Sequence, residues 1–326
     1  MEKTLYVVVP CYNEEAVLPE TAKRLAEKYR QLKAEKMISE KSRIVFVNDG
    51  SKDRTWELIR QLHEENPVFS GINLAHNKGH QNAVYAGLMT VRELCDAAIT
   101  IDADLQDDVN AIDEMVKKYI EGNDVVYGVR SSRKTDTFFK RFTAESFYRL
   151  MSAMGVELVF NHADFRLMSK RVLDALSEYK EVNLFLRGII PEIGFKSGCV
   201  YYERHERFSG ESKYSPKKML SLAVDGITSF SVKPLSMIMG LGVIIFLLSI
   251  AAFIAAAVSS LFVETELGTA GILCSVWAVG GLQILCTGVV GGYIGKIYTE
   301  AKGRPRYVVE QFLNSGDGTE NDSSAD

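Results

Sequence analysis

The chain has 326 residues, 47% of them hydrophobic and 25% charged, with a formal net charge of −4. That length suits one large domain with a smaller appendage, and the charge balance argues against a nucleic-acid-binding surface, which needs a basic face. The five cysteines form no C-x-x-C pair, so neither a metal cluster nor a disulfide framework is indicated, and they read as small core residues of a reducing compartment.

From the N-terminus, five apolar runs rich in β-branched residues recur: LYVVV (5–9), RIVFV (43–47), GINLA (71–75), AAITI (97–101) and DVVYG (124–128). They are continuous rather than alternating, the pattern of strands covered on both faces. Helical patterns separate them at 15–37, 54–65, 80–94 and 110–121. This alternation predicts an α/β domain with a mainly parallel sheet flanked by helices. The opening MEKTLYVVVP has too short an apolar run to read as a signal peptide.

Ligands of such sheets bind beyond the carboxyl ends of the strands, and polar motifs follow each run: PCYNEE, NDGSKDRT, HNKGHQNAVYAG, DADLQDD and GVRSSR. No G-x-G-x-x-G follows the first strand and no G-x-x-x-x-G-K-S/T occurs, which disfavours dinucleotide oxidoreductases and P-loop ATPases. Extended residues i and i+2 face the same way, so Asp102, Asp104 and Gln106 are expected to converge on one point. Hard oxygen ligands of this kind suit Mg²⁺ or Mn²⁺ bridging to substrate phosphates. The bland alternative is a solvated turn with helix-capping acids, which fits Asp107 and Asp108.

Towards the C-terminus, residues 234–263 and 267–295 contain no charged side chain, and only Glu264, Thr265 and Glu266 separate them. Each stretch exceeds the roughly 20 residues that cross a bilayer core, so a transmembrane hairpin is expected. Lys213, Lys217, Lys218 and Lys233 precede it and Lys296, Lys302, Arg304 and Arg306 follow it. The positive-inside rule then puts both termini and the large domain on the cytoplasmic side. Segment 215–233 reads as an interfacial amphipathic helix, 296–313 as a juxtamembrane segment with candidate oligomer contacts, and 314–326 as a disordered acidic tail.

The motifs VVVPCYNEE, VNDGSKDRT, NKGHQNAVYAG and DADLQDD resemble the successive motifs of family 2 glycosyltransferases with the GT-A fold. NHADFRLMSKRV, RFSGESKY, the two apolar stretches and KGRPRYVV are similar to the polyprenyl-phosphate glycosyltransferases, a group that includes dolichyl-phosphate mannose synthase and the bacterial undecaprenyl-phosphate glucosyltransferases. The likeness runs over about 5–309.

The resemblance implies a GT-A Rossmann-like domain over 1–214 and a nucleotide sugar, with a UDP-sugar favoured. Pro10, Tyr12, Glu14, Asp49 and Asp102 would bind the nucleotide, and Asp102, Asp104 and Gln106 would hold Mg²⁺ or Mn²⁺. It also implies a polyprenyl phosphate acceptor. A phosphomonoester carries about −1.5 to −2 charges at pH 7 and is already a nucleophile, so it needs arginines to position it. Arg130, Arg133, Arg141, Arg207 and Lys213 are candidates, and the resemblance favours Arg130, Arg141, Ser146 and Arg207. Asp104 and Arg207 would act in catalysis. Asp164 would orient a hydroxyl or act as a weak base, or instead pair with Arg166. His80 reads as a positioning or structural residue rather than an acid/base. The implied reaction is inverting transfer of one sugar, with glucose from UDP-glucose first and GDP-mannose, UDP-N-acetylglucosamine or UDP-galactose as alternatives. A processive synthase is disfavoured because Trp56 and Trp277 lie in no Q-x-x-R-W pattern. An inactive scaffold is disfavoured because the D-x-D ligands are intact.

Overall fold

The computed structural model describes residues 2–131, 162–182, 184–203, 233–259 and 269–314. Arg133, Arg141, Ser146, Arg207, Lys213, the interfacial helix up to residue 232 and the tail from 315 lie outside the described residues. The chain forms two compact units, one holding the sheet and its helices, the other two long helices.

In the first unit the elements alternate as the sequence predicts: β1 (Leu5–Cys11), α1 (Leu18–Ala34), β2 (Arg43–Asn48), α2 (Thr55–Glu65), β3 (Phe69–Leu74), α3 (His80–Val91), β4 (Ala97–Thr100), α4 (Ala111–Ile120) and β5 (Val125–Arg130). Then come β6 (His162–Ser169), α5 (Lys170–Ser177), α6 (Leu186–Glu192), β7 (Ser197–Tyr202) and, last in the chain, β8 (Val309–Leu313). All seven residues of β1 are buried, as a strand covered on both faces requires. Helix α1 turns Leu18, Ala22, Leu25, Tyr29 and Leu32 inward at three- and four-residue spacing.

The eight strands form one sheet in the order β7-β5-β6-β4-β1-β2-β3-β8. Strands β4, β1, β2 and β3 run parallel, and β7 runs parallel to β5. Strand β6 is antiparallel to both β4 and β5, and β8 is antiparallel to β3. The sheet is thus mixed, the GT-A-like Rossmann architecture with a reversed strand in its middle. Pro10 lies past the last β1–β4 pair, Val8 with Thr100, where a missing N–H is tolerated.

Strand β8 belongs to the segment read from the sequence as juxtamembrane. Just before it, the Arg306 guanidinium lies 4.6 Å over the Tyr85 ring and donates to the Tyr179 carbonyl at 2.5 Å.

In the second unit, α7 (Lys233–Ser259) has 27 residues and α8 (Thr269–Ala301) has 33. Among the described residues no helix is long and apolar enough to cross a membrane, and many side chains inside both helices lie outside the described residues.

Candidate active site

The loops at the carboxyl ends of β1 and β2 are clamped together. Asn13 adopts a left-handed conformation (φ 53°), its N–H donates to Ser51 Oγ at 3.0 Å, and its Oδ1 accepts from Lys52 N at 2.8 Å. Glu14 N donates to Thr55 Oγ1 at 2.9 Å and Glu15 N to Asp53 Oδ2 at 3.2 Å. The PCYNEE and NDGSKDRT motifs therefore form one rigid rim, with Tyr12 37% exposed on it and Pro10 buried behind it in β1. Gly50 is required here: its φ is +61°, and a Cβ would meet Asn77 N at 2.5 Å and His76 C at 2.8 Å.

Asp49 is buried, and its carboxylate fastens the third loop. Oδ1 accepts from Lys78 N at 2.7 Å, and Oδ2 accepts from Gly79 N at 2.9 Å and Asn77 Nδ2 at 3.0 Å. Burial raises its pKa, against the two backbone donors. Three of its four or so acceptor positions are thus occupied from within, so it shapes the rim as well as any contact it makes with a base.

The segment after β4 keeps the predicted alternation. Ala103, Leu105 and Asp107 are buried, while Asp102, Asp104 and Gln106 are half-buried and share the other side. Leu105 has φ +59°, a strained turn for a non-glycine residue, and Gln106 N donates to Asp104 Oδ1 at 3.2 Å. Burial and the charges of Asp107, Asp164 and Asp104 push the Asp102 carboxyl up to about 6, with His80 acting against them. Among the described residues no group of three or more His, Cys, Asp or Glu could by itself hold a metal ion. Two carboxylates and an amide remain, a donor set that fits a Mg²⁺-type ion sharing its shell with water and substrate phosphate. The surplus negative charge around Asp102 is what such an ion would relieve.

Facing this loop, the His80 Nε2 lies 3.5 Å from Asp102 Oδ1 and 3.6 Å from Asp164 Oδ2. Loss of water around the imidazole would depress its pKa, but the two carboxylates outweigh that and raise it to about 9. Asp164 stands on β6, where Arg166 Nη2 donates to its Oδ1 at 2.5 Å. Arg187 of α6 binds it through two nitrogens, Nε to Oδ1 at 3.0 Å and Nη2 to Oδ2 at 2.9 Å. Burial acts to raise the Asp164 pKa, yet Arg187, His80 and Arg166 hold it well below the carboxylate range. A carboxylate so held is a poor proton acceptor. Of the alternatives the sequence offers, the structure shows the Arg166 pairing, with Asp164 as the hub of an ion network built around it.

Arg130 ends β5 at the same edge, with Nη2 donating to Asp107 Oδ1 at 3.2 Å. Asp107 is not a solvated capping acid, because its side chain is 1% exposed. Asp108 does take the turn role, accepting from Asn110 N at 2.9 Å. Sequence reasoning passed over Arg187 and Tyr202, which carry no local motif, and placed Asp107 on the wrong side of the loop, although the i, i+2 alternation already puts it opposite Gln106.

Comparison with known proteins adds the following. The model of the family described as glycosyl transferase family 2 matches residues 6–177. The chain is 52% identical to the "uncharacterized glycosyltransferase YkoT" of Bacillus subtilis over 309 residues, 95% of this chain and 92% of that one. It is 38% identical to the SfII prophage-derived bactoprenol glucosyl transferase of Shigella flexneri, over 94% of this chain and 97% of that one. A glucosyl-3-phosphoglycerate synthase structure from Mycobacterium tuberculosis resembles 69% of this chain, over 76% of its own, at 16% identity and a TM-score of 0.45.

Proposed function

This chain belongs to glycosyl transferase family 2, and on that premise we propose that it transfers one glucose from UDP-glucose to a polyprenyl phosphate of the undecaprenyl class, with inversion. The observation that carries the proposal is the extent of the likeness to the bactoprenol glucosyl transferases. The family domain ends at residue 177, but the 38% identity covers 94% of the chain. It therefore spans the region that would adapt a common donor fold to one kind of acceptor.

The chemistry follows from the groups at the edge. Tyr12, Glu14 and the rim held by Asp49 receive the nucleoside, while Asp102, Asp104 and Gln106 face the diphosphate. Mg²⁺ or Mn²⁺ bound there supplies charge neutralisation for the diphosphate. Arg130, with Arg141, Ser146, Arg207 and Lys213, holds the lipid phosphate. One phosphate oxygen forms the new bond to the anomeric carbon as the bond to the nucleoside diphosphate breaks and that group leaves with the electron pair. No proton has to be removed, because the acceptor arrives ionised. The Asp164 network orients donor and loop, and proximity with charge stabilisation supplies the acceleration.

The two long helices are assigned as membrane spans on the strength of the sequence. Residues 234–263 and 267–295 carry no charge. Met237, Met239, Leu247, Ile284 and Leu285 are exposed along them, as lipid-facing residues would be. The basic flanks support a cytoplasmic side for the sheet domain.

The test uses the full chain in detergent with undecaprenyl phosphate, Mg²⁺ or Mn²⁺ and a panel of UDP- and GDP-sugars, following nucleoside diphosphate release. Lipid-dependent release with UDP-glucose, abolished in Asp104→Ala, is expected. Release that ignores the lipid, or none with any donor from a folded protein, would overturn the proposal.

A further inference from the structure

We infer that Asp107 and Tyr202 are positioning residues for Arg130, joining the donor loop to the arginine that meets the acceptor phosphate. The inference rests on the reading of Arg130 as an acceptor ligand. Three strand ends meet at this point. Asp107 comes from the loop after β4, Arg130 is the last residue of β5, and Tyr202 is the last residue of β7.

The parallel register pairs Arg130 directly with Tyr202. Beyond it, Ser131 N and Ser131 Oγ both donate to the Tyr202 carbonyl, at 2.9 and 3.0 Å, so the β5 and β7 ends cannot splay. From this fixed position Tyr202 Oη donates to Asp107 Oδ1 at 2.5 Å, and the same oxygen receives Arg130 Nη2 at 3.2 Å. Asp107 Oδ2 is buried and has no hydrogen-bond partner among the described residues. A buried carboxylate with one oxygen doubly engaged and the other bare is ill suited to be a general-purpose anchor. What it does have is an ionic partner that reaches the edge, since the Arg130 side chain is still 26% exposed.

A guanidinium is a rigid planar fork. Fixing one Nη therefore fixes the plane of the whole fork, and with it the angle at which the guanidinium meets a phosphate. Because Asp107 directly follows Gln106, and Leu105 at φ +59° sets the turn just before them, any shift of the donor loop is passed to that plane. Donor occupancy and acceptor geometry are thus linked through two hydrogen bonds.

The experiment measures kcat, the KM values for undecaprenyl phosphate and UDP-glucose, and the thermal midpoint, in full-length Tyr202→Phe, Asp107→Asn, Arg130→Ala and the double variant Asp107→Asn with Arg130→Ala. Loss of a hydrogen bond to a charged group predicts an acceptor KM raised about tenfold in Tyr202→Phe and somewhat more in Asp107→Asn, with the donor KM within about twofold of wild type. Adding Asp107→Asn to Arg130→Ala should do nothing further to acceptor KM, because the two act as one unit. If Arg130→Ala raises acceptor KM while Tyr202→Phe and Asp107→Asn only lower the thermal midpoint, the contact is structural and the inference fails, with Arg130 still an acceptor ligand. If Arg130→Ala leaves acceptor KM unchanged, the premise fails first. Should Asp107→Asn not fold, Tyr202→Phe decides alone.

Discussion

Asparagine at position 164 should unsettle the fold as well as the activity, and the size of the structural effect distinguishes a network hub from a catalytic base. The substitution keeps the shape and removes the charge that faces Arg166, which is 2% exposed, and Arg187, which is 36% exposed. Removing one partner of a buried ion pair costs about 3–5 kcal/mol. Asp164 is itself 21% exposed and Arg187 can turn to water, so the lower end, about 3 kcal/mol, applies. In a domain of this size each kcal/mol moves the melting midpoint by about 2–4 °C, giving a fall of roughly 6–12 °C. Asp164→Leu combined with Arg166→Met should recover much of that, since a packed apolar pair carries no desolvation penalty. The pH dependence has a definite sign. The folded-state pKa of Asp164 is depressed, so its stabilisation is complete above the unfolded value of about 3.9 and disappears only as pH falls through the folded one. The gap in midpoint between wild type and Asp164→Asn should therefore stay flat from about pH 5 to about pH 6.5 and narrow as pH rises towards 9, because Asp164 also helps to raise the His80 pKa to about 9. The assay pairs thermal melts with nucleoside diphosphate release. An inactive Asp164→Asn that melts within about 2 °C of wild type, less than 1 kcal/mol, would refute the hub and restore the base.

Three other outcomes are expected. Gly50→Ala forces a side chain into a left-handed position that costs about 1–2 kcal/mol before any clash with the backbone of residues 76 and 77. UDP affinity by calorimetry should drop about tenfold for that energy, and unchanged affinity would disprove the rim. At saturating Mg²⁺ the rate with undecaprenyl phosphate should decline below about pH 6, where the acceptor gains a proton. Asp164→Asn should keep that limb, and its disappearance would make Asp164 the titrating group. Finally, the full chain should stay in the membrane pellet after alkaline carbonate washing, whereas release into the supernatant would count against the assignment of 234–263 and 267–295 as spans.

The parallel half of the fold was legible because each strand is its own signal: LYVVV and RIVFV need no partner to announce that both faces are covered. Strand β6 sends no such signal. Its residues include Asp164 and Arg166, and a fully buried arginine breaks the apolar run that marks a central strand. The charge is tolerated because Asp164, two residues away on the same face, and the Leu186 carbonyl accept hydrogen bonds from it, while Arg187 binds the same carboxylate from 23 residues beyond Asp164. The same asymmetry governs the site. Alternation along 102–106 could be read directly, since backbone geometry alone decides which side chains agree. The same alternation puts Asp107 opposite Gln106, but its partner there, Tyr202, lies 95 residues later and is set by a register that no local pattern encodes. The distinction is physical: covalent neighbours set direction, whereas partners from distant strand ends set ionisation state. That is why the shared side of Asp102, Asp104 and Gln106 could be read in the sequence, but the Arg187 that grips Asp164 could not.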